Sequence, residues 1–180
     1  CTHHGGYSKF RVKLDDIKEN NLLAIVVDNS PNDFVYPQVA DFTFYGGIYR
    51  DVSLIGVNRK HFDLDYFGAP GIKITPTVCG KDAKVEVQAF CEGEVEFSIL
   101  ADGKEIATKS VSGHNPIAVL DIQDVRLWNG RKDPYLYTMV AKLVCDGEVA
   151  DEVSARFGCR FFEIDPQRGF LLNGKEYSLR

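Results

Sequence analysis

The chain has 180 residues and a formal net charge of −5, with 26 acidic against 21 basic side chains spread without long runs of one sign. This charge argues against a nucleic acid or an anionic membrane as the main partner, and no apolar stretch is long enough to span a bilayer. The length supports one large or two small domains whose core needs no disulfides or metals.

The cysteines and histidines show no spacing that is typical of a metal site. The five cysteines lack paired C-x-x-C spacing, so neither a zinc site nor a disulfide framework is predicted, and the cellular compartment stays open. The histidines lie at no ligand spacing from acids or cysteines, and we predict no metal ligand among them: His3, His4, His61 and His114. We expect no cofactor within these residues.

Cys91 and Cys145 form the one cysteine pair that the pattern brings into question. Each ends a run whose alternate residues are apolar, so each side chain would point into a core. We favour two buried free thiols, and a bridge between them is the alternative.

Alternation of apolar and polar residues is the dominant pattern, recurring from Phe10 to Ser178, whereas helical periodicity is nearly absent. This pattern predicts an all-β chain. In the first segment it favours three strands, joined by a long loop before the third: Tyr7–Leu14, Leu22–Asp28 and Ile48–Val57. Long ordered loops on a β scaffold are where binding groups usually lie.

The most specific stretch of the chain is Asp41–Val52, which reads DFTFYGGIYRDV. Its aromatic rings, among them Phe42 and Tyr45, offer the flat apolar faces on which sugar rings stack. Its glycine pair, Gly46 and Gly47, allows a close approach of the backbone. The combination predicts a polar ligand that stacks on these aromatic rings. The alternative for Asp41 is a purely structural role, because an aspartate in a turn commonly accepts hydrogen bonds from backbone N–H groups.

Arg50 and Asp51 lie in the same stretch among apolar neighbours. An arginine in such a position most often forms a paired, partly buried bridge, because its guanidinium suits bidentate contacts with a carboxylate. We therefore interpret this pair as structural rather than as a recognition site.

The second segment begins after a Gly- and Pro-containing linker, Phe67–Gly71. Seven short runs follow, with Asp102-Gly103 and Asp146-Gly147 at two of the joints, where a tight hairpin turn needs positive φ. They are Ile72–Val78, Ala83–Cys91, Val95–Ala101, Lys104–Ser110, Pro116–Ile122, Tyr135–Cys145 and Glu148–Cys159. Seven runs at this spacing predict an immunoglobulin-like sandwich.

Two further motifs complete the second half. In Leu127–Tyr137 we expect Trp128 to cover one end of the sandwich and Pro134 to end a turn. Near the end of the chain, two apolar runs flank Asn173-Gly174 and predict a hairpin. Both chain ends look cut, since the first residue is Cys1 and the hairpin's second strand is short.

Three consecutive patches of the chain resemble glycoside hydrolase family 2, the β-galactosidases, β-glucuronidases and β-mannosidases. They are the DFTFYGGIYRDV stretch, the Leu-Trp to Leu-Tyr run at 127–137, and Phe157-Gly158 with the FLLNGK run at 170–175. The resemblance implies residues 1–66 as the C-terminal part of a sugar-binding jelly roll, 67–162 as an immunoglobulin-like sandwich, and 163–180 as the lead-in to a (β/α)₈ catalytic barrel that the sequence does not contain.

The same resemblance implies that Asp41 contacts the sugar in the cleavage subsite. In some members of the family this aspartate also coordinates a monovalent cation, so a monovalent or divalent cation is expected only in the full-length parent. The resemblance implies that the parent is a retaining exo-β-glycosidase that acts on a carbohydrate, and we favour a β-galactosidase. Its two catalytic glutamates would lie on the barrel of the same chain. Homo-oligomerisation of that parent is a further expectation.

No catalytic residue is predicted within the chain itself. Glycoside hydrolysis ordinarily needs two carboxyl groups about 5 Å apart for retention or about 6.5–9.5 Å for inversion, one of them kept protonated. The sequence neighbours Asp15 and Asp16, and likewise Asp63 and Asp65, lie in polar runs that are typical of solvated edges. The chain should therefore be inert alone. The alternatives are a non-catalytic carbohydrate-binding module that uses Phe42, Phe44 and Tyr45 as a stacking platform, or a spacer without a ligand.

Overall fold

The computed structural model describes residues 1–35 and 45–179. The backbone divides into two compact units, Cys1–Gly56 and Val57–Arg180, which are called the first and the second unit below. All regular structure among the described residues is β-strand, without a helix. The predicted all-β class is therefore confirmed, while the domain boundaries that the resemblance implies stay a prediction.

All strands of the described residues lie in the second unit. In chain order they are β1 (Ile72–Cys79), β2 (Asp82–Ala89), β3 (Glu92–Ala101), β4 (Lys104–His114), β5 (Ile117–Ile122), β6 (Tyr137–Cys145), β7 (Glu148–Phe157), β8 (Phe162–Asp165), β9 (Gly169–Leu172) and β10 (Lys175–Glu176). The seven runs predicted in this part of the chain correspond to β1 to β7.

Strands β1 to β7 form two antiparallel sheets, β1-β2-β5 and β4-β3-β6-β7. Alternate side chains of both sheets belong to one hydrophobic core, whose fully buried members include Val85 on β2, Phe97 on β3 and Met139 on β6. Since successive residues of a strand point to opposite faces, the period-two pattern of the sequence decides which residues enter this core. The β-sandwich architecture is as predicted, and its immunoglobulin-like assignment stays a prediction.

One edge of the three-stranded sheet is formed by β1, which pairs with β2 along its length. This edge strand contains Pro76 opposite Val85. Proline has no N–H to donate to a ladder, so it is tolerated in a sheet only where its nitrogen faces away from the partner strand. We therefore expect the backbone nitrogen of Pro76 to face away from β2, toward the unpaired side of β1.

Two tight hairpins have the turn chemistry that the sequence predicts. In the β3–β4 turn, Asp102 and Gly103 have φ of 49° and 79°, and in the β6–β7 turn Asp146 and Gly147 have φ of 53° and 80°. Two successive residues with positive φ define the turn whose twist matches that of the flanking strands. The Asp-Gly pairs therefore determine the pairing of the residues next to each turn, and in both hairpins the register shifts a few residues further along.

A small third sheet follows the sandwich, with the order β10-β9-β8. Its β9–β10 hairpin turns at Asn173 and Gly174, whose φ values are 52° and 74°. The hairpin predicted around these two residues is thus confirmed. Phe162 and Ile164 of β8 stand opposite Leu172 and Phe170 of β9, so these four side chains share one face of the sheet.

The three strands predicted in the first unit are not present among its described residues. Leu22, Val26 and Leu54, which the alternation would place in a sheet, are 97%, 93% and 82% exposed. Alternation shows which side of a strand can be buried, but a strand also needs a neighbour to accept and donate its backbone hydrogen bonds. Within residues 1–35 and 45–56 no strand is formed, so the strand prediction for this unit is wrong.

The five cysteines are free thiols, in agreement with the favoured interpretation. Cys91 and Cys145 are half-buried rather than fully buried, and Cys159 is fully buried in the core. Burial raises the pKa of the Cys159 thiol to about 11. Desolvation, together with the nearby Asp151 carboxylate and Cys145, raises the pKa of Cys91 to about 11 as well.

We expect Cys159 to react with a soluble thiol reagent far more slowly than the exposed Cys79 in the folded protein. The thiolate is the reacting species, and raising the pKa of Cys159 from 9.0 to about 11 lowers its own thiolate fraction at pH 8 by about a hundredfold. Burial slows Cys159 further. Iodoacetamide labelling over time, read by peptide mass spectrometry, measures both rates, and the Cys159 rate should rise with pH up to about 11. Equal rates for Cys79 and Cys159 at pH 8 would contradict the buried position of Cys159.

Gly147→Ala should lower the free energy of unfolding of the second unit by about 1 kcal/mol or more, because its φ of 80° is strained for any residue that has a Cβ atom. No neighbour lies within 4 Å of the position that this Cβ would occupy, so the effect reports backbone strain and not a clash. Urea unfolding measures it. Gly56→Ala is the control, since Gly56 has neither positive φ nor a close neighbour. An equal loss of unfolding free energy in both variants would contradict the predicted strain at Gly147.

Candidate functional site

The residue singled out for sugar contact, Asp41, lies outside the described residues, as do Phe42 and Phe44 of the proposed stacking platform. The role of Asp41 therefore stays a prediction. The structure describes the C-terminal part of the same stretch, from Tyr45 onward, together with the residues of the first unit that contact it.

The glycine pair of the stretch is required by two different features of the backbone. A Cβ atom at Gly46 would lie 3.0 Å from Cγ and 3.2 Å from Nδ2 of the Asn29 side chain. Gly47 has a φ of 102°, a conformation that side chains with a Cβ atom rarely adopt. The close approach predicted for this backbone is therefore found, and the group that it approaches is the chain's own Asn29.

The two described tyrosines of the stretch differ in their surroundings. Tyr45 is 82% exposed, so its ring is available to a ligand. Tyr49 is 64% exposed, and its hydroxyl donates a hydrogen bond of 3.3 Å to the backbone carbonyl oxygen of Gly6. This bond joins the N-terminal residues of the first unit to the residues that follow the glycine pair.

The partly buried position predicted for the Arg50 and Asp51 pair is not found, since both residues are exposed. The guanidinium of Arg50 lies instead over the Tyr49 ring, with its central carbon 5.4 Å from the ring centroid, a cation–π arrangement. The bridge was predicted on the assumption of a strand at Ile48–Val57, and without that strand no sheet covers the pair.

The N-terminal histidines occupy aromatic stacks. The ring of His3 stacks on Phe10 with centroids 4.1 Å apart, and that of His4 stacks on Phe34 with centroids 4.7 Å apart. Within residues 1–35 and 45–179 no group of three or more His, Cys, Asp or Glu side chains is arranged to hold a metal ion. The stacks were not predicted from the sequence, whose only signal for them was the density of aromatic residues.

The carboxyl groups that could be mistaken for a catalytic pair have local structural contacts. Asp63 accepts a hydrogen bond of 2.8 Å from the backbone N–H of Asp65, and Asp15 forms an exposed ion pair of 3.0 Å with Lys13. Contacts of this kind are typical of turns and solvated surfaces. They place neither acid in a water-excluded cleft.

Among the residues that the structure describes, two exposed carboxyl groups have a shifted pKa, and both shifts are downward. The backbone N–H and hydroxyl of Ser30 hold the pKa of Asp28 below its ordinary value. Hydrogen bonds from the backbone N–H groups of Arg168 and Gln167 do the same for Asp165. A general acid needs the opposite shift, since it must keep its proton near neutral pH. These two acids are therefore suited to capping turns and not to protonating a leaving group.

Trp128 of the Leu-Trp motif lies at one end of the sandwich, as expected. Its backbone N–H donates to the carbonyl oxygen of Cys159 at 2.9 Å, and the guanidinium of Arg160 lies 4.7 Å from its ring centroid. A Cβ atom at Gly158 would come within 2.9 Å of the Trp128 Cβ, so Gly158 lets the two segments approach. This arrangement supports the structural interpretation of the tryptophan.

The depressions found on the second unit are shallow. One lies on the outer face of β1-β2-β5 and is lined by Thr75, Thr77, Lys84, Glu86 and Val119. An enzyme site normally encloses most of its ligand, and this open surface does not. Among the described residues, no helix is long and apolar enough to span a membrane.

Comparison with known proteins identifies the family to which the chain is similar. Residues 70–160 match the family model described as glycosyl hydrolases family 2. The chain is 34% identical over 196 aligned positions to a beta-glucuronidase of Bacteroides fragilis, with 98% of this chain and 28% of that protein covered. It is 28% identical over 198 positions to a beta-galactosidase of Thermoanaerobacter pseudethanolicus, with 99% of this chain and 25% of that protein covered.

A solved structure agrees with these matches. The crystal structure of an FMN-binding beta-glucuronidase from Facaelibacterium prausnitzii superposes with a TM-score of 0.72 at 40% identity, covering 78% of this chain and 23% of that one. The chain therefore spans about a quarter of the length of these relatives. The resemblance read from the sequence is confirmed by a family match over half of the chain and by relatives aligned over nearly all of it: this chain belongs to glycosyl hydrolases family 2.

Proposed function

We propose that this chain is a non-catalytic part of a retaining exo-β-glycosidase, which hydrolyses O-glycosidic bonds in carbohydrates. The observation that carries the proposal is the alignment of nearly the whole chain with proteins named beta-glucuronidase and beta-galactosidase, of which it spans about a quarter. The downward pKa shifts of Asp28 and Asp165 support the non-catalytic part of the proposal. In this proposal, the acid and the nucleophile belong to a catalytic barrel of the same protein.

For the substrate, a β-glucuronide and a β-galactoside are the two candidates. The 34% identity to the Bacteroides fragilis protein and the 40% identity to the Facaelibacterium prausnitzii protein, both named beta-glucuronidase, support the glucuronide. The Thermoanaerobacter protein named beta-galactosidase supports the galactoside that we expected from the sequence. We place the glucuronide first, because the identities are higher.

In this proposal Asp41 binds the sugar and does not transfer a proton. A carboxylate is an acceptor-only group, so it distinguishes sugars by the directions in which their hydroxyl groups point. The described residues that follow support the proposal, since Tyr45, four residues further along the chain, is largely exposed, and the Gly46-Gly47 pair after it has no side chains. A bound cation at Asp41 in the full-length protein is a further part of the proposal.

The proposed partner of the second unit is the catalytic barrel of the same protein. Phe162 and Ile164 of β8 are 63% and 79% exposed, although they share a sheet face with the buried Leu172. Burial of such side chains is favourable by about 1.5–3 kcal/mol each. An apolar face of this kind supports a contact with further protein.

A non-catalytic carbohydrate-binding module is the second candidate. The exposed rings of Tyr45 and Tyr49 favour it, because a binding module needs only a stacking platform and no catalytic carboxyl pair. It differs from the first candidate in one respect that can be measured: a binding module would retain a sugar without turning it over even in the full-length protein.

Asp41→Ala in the full-length protein should lower kcat/KM by roughly a hundredfold, or about 3 kcal/mol, because charged hydrogen bonds to the sugar are lost. Steady-state kinetics with the nitrophenyl β-glycoside that the protein prefers measures the loss. Asp51→Ala is the matched control, since Asp51 is exposed in the same stretch and its removal should leave kcat/KM within about twofold. An unchanged kcat/KM in Asp41→Ala would show that this aspartate only supports a turn.

The isolated 180-residue chain should hydrolyse neither nitrophenyl β-glucuronide nor nitrophenyl β-galactoside, whereas the full-length protein should hydrolyse one of them. Release of nitrophenolate measures both reactions, and the ratio of the two kcat/KM values identifies the substrate. Turnover by the isolated chain would refute its non-catalytic role. Absence of turnover by the folded full-length protein, together with retention on a sugar matrix, would favour the binding module.

A further inference from the structure

Asn173 lies at the turn of the β9–β10 hairpin and uses its whole side chain in hydrogen bonds. Its Oδ1 accepts a bond of 3.0 Å from the backbone N–H of Phe161, next to the start of β8. Its Nδ2 donates to the backbone carbonyl oxygen of Trp128 at 3.0 Å and to Oδ1 of Asn129 at 2.8 Å. The two donated bonds cross from the third sheet to the loop at the end of the sandwich.

The receiving loop is itself held in place. The backbone N–H of Trp128 donates to Cys159 at 2.9 Å, and that of Asn129 donates to Asp133 at 2.8 Å. The Asn129 amide also donates to the carbonyl oxygen of Leu127 at 3.1 Å, which orients its Oδ1 toward Asn173. Asn173 therefore bonds to groups whose positions the sandwich already determines.

A second contact lies beside the first. The backbone N–H of Arg131 donates to the Tyr177 hydroxyl at 3.2 Å. Gly130 is buried under the same ring, and a Cβ atom there would come within 2.9 Å of the Tyr177 Cε2. The loop 128–131 thus contacts the hairpin on both sides of its turn.

We propose that Asn173 is a latch that holds the third sheet against the end of the sandwich, so that β8 to β10 keep one orientation relative to β1 to β7. Asparagine suits this position for two reasons that no other residue type combines. It tolerates the φ of 52° that the turn requires, and its amide supplies two donors and an acceptor at one point. Glycine would keep the backbone and lose the bonds, whereas aspartate would keep one acceptor and lose both donors.

Hydrogen exchange of the intact protein that contains this chain tests the latch. Asn173→Gly keeps the turn but removes all three side-chain bonds, so exchange of the β9 and β10 amides should rise about tenfold or more. The amides of β3 and β6 should keep their wild-type protection. Asn173→Asp should raise exchange similarly, since its carboxylate cannot donate to Trp128 or Asn129. Wild-type exchange in β9 and β10 for either variant would overturn the proposal.

The control is Asn115→Gly. Asn115 also has positive φ, at 48°, and lies on the same sandwich between β4 and β5, but its side-chain amide contacts the neighbouring His114 ring. Exchange in β9 and β10 should not change in this variant, and a rise equal to that of Asn173→Gly would overturn the latch. Tyr177→Phe removes only the hydroxyl that accepts from Arg131. It should give a smaller rise of a few-fold, and it keeps the test informative if Asn173→Gly does not fold.

Discussion

The fully buried hydrophobic core between the two antiparallel sheets is the constraint on which the rest of the second unit depends. Val85, Phe97 and Met139 have no exposed surface, and each belongs to a different strand. Because neighbouring residues of a strand point to opposite faces, burying one residue determines which of its neighbours face solvent. A slip of one residue in any of these strands would bring polar side chains inside, so the core specifies the register of both sheets.

Register in turn positions the features outside the core. The Asp-Gly turns can close only if the flanking strands meet opposite each other, as β6 and β7 do at Cys145 and Glu148, next to the turn; further along, the register shifts between Leu143 and Val144. The buried Cys159 lies two residues after the end of β7, and its carbonyl oxygen accepts a hydrogen bond from the backbone N–H of Trp128. The loop that contacts the third sheet is therefore placed by the same packing that closes the sandwich.

The seven strands of the sandwich could be predicted from the sequence because their signals are local in the chain: alternation and turn residues with positive φ. The first unit could not, because alternation at Leu22 and Val26 says nothing about which strand would pair with them. For the same reason the partly buried position predicted for Arg50 and Asp51, which presupposed a strand, was wrong. The family resemblance succeeded because it rests on motifs of particular residues and does not depend on whether strands form there. Asn173 was predicted only as a turn residue, since its contacts with Trp128 and Asn129 join positions more than forty residues apart.

The carboxyl groups illustrate how local structure limits chemistry. Asp28 and Asp165 are each held by backbone N–H groups two or three residues further along the chain, which favours their charged form. In a catalytic acid, burial away from such donors favours the protonated form instead. The local hydrogen bonds of Asp28 and Asp165 therefore favour the charged form of each carboxyl group, which has no proton to donate.

Pro76 affects whether copies of this domain can associate through the edge of their sheets. An edge strand with a continuous row of free N–H and C=O groups is a template on which a second chain can add a strand. On β1 that row is interrupted near its middle, where Pro76 offers no donor. The sandwich can thus expose an eight-residue edge in a concentrated solution while resisting growth into extended intermolecular sheets.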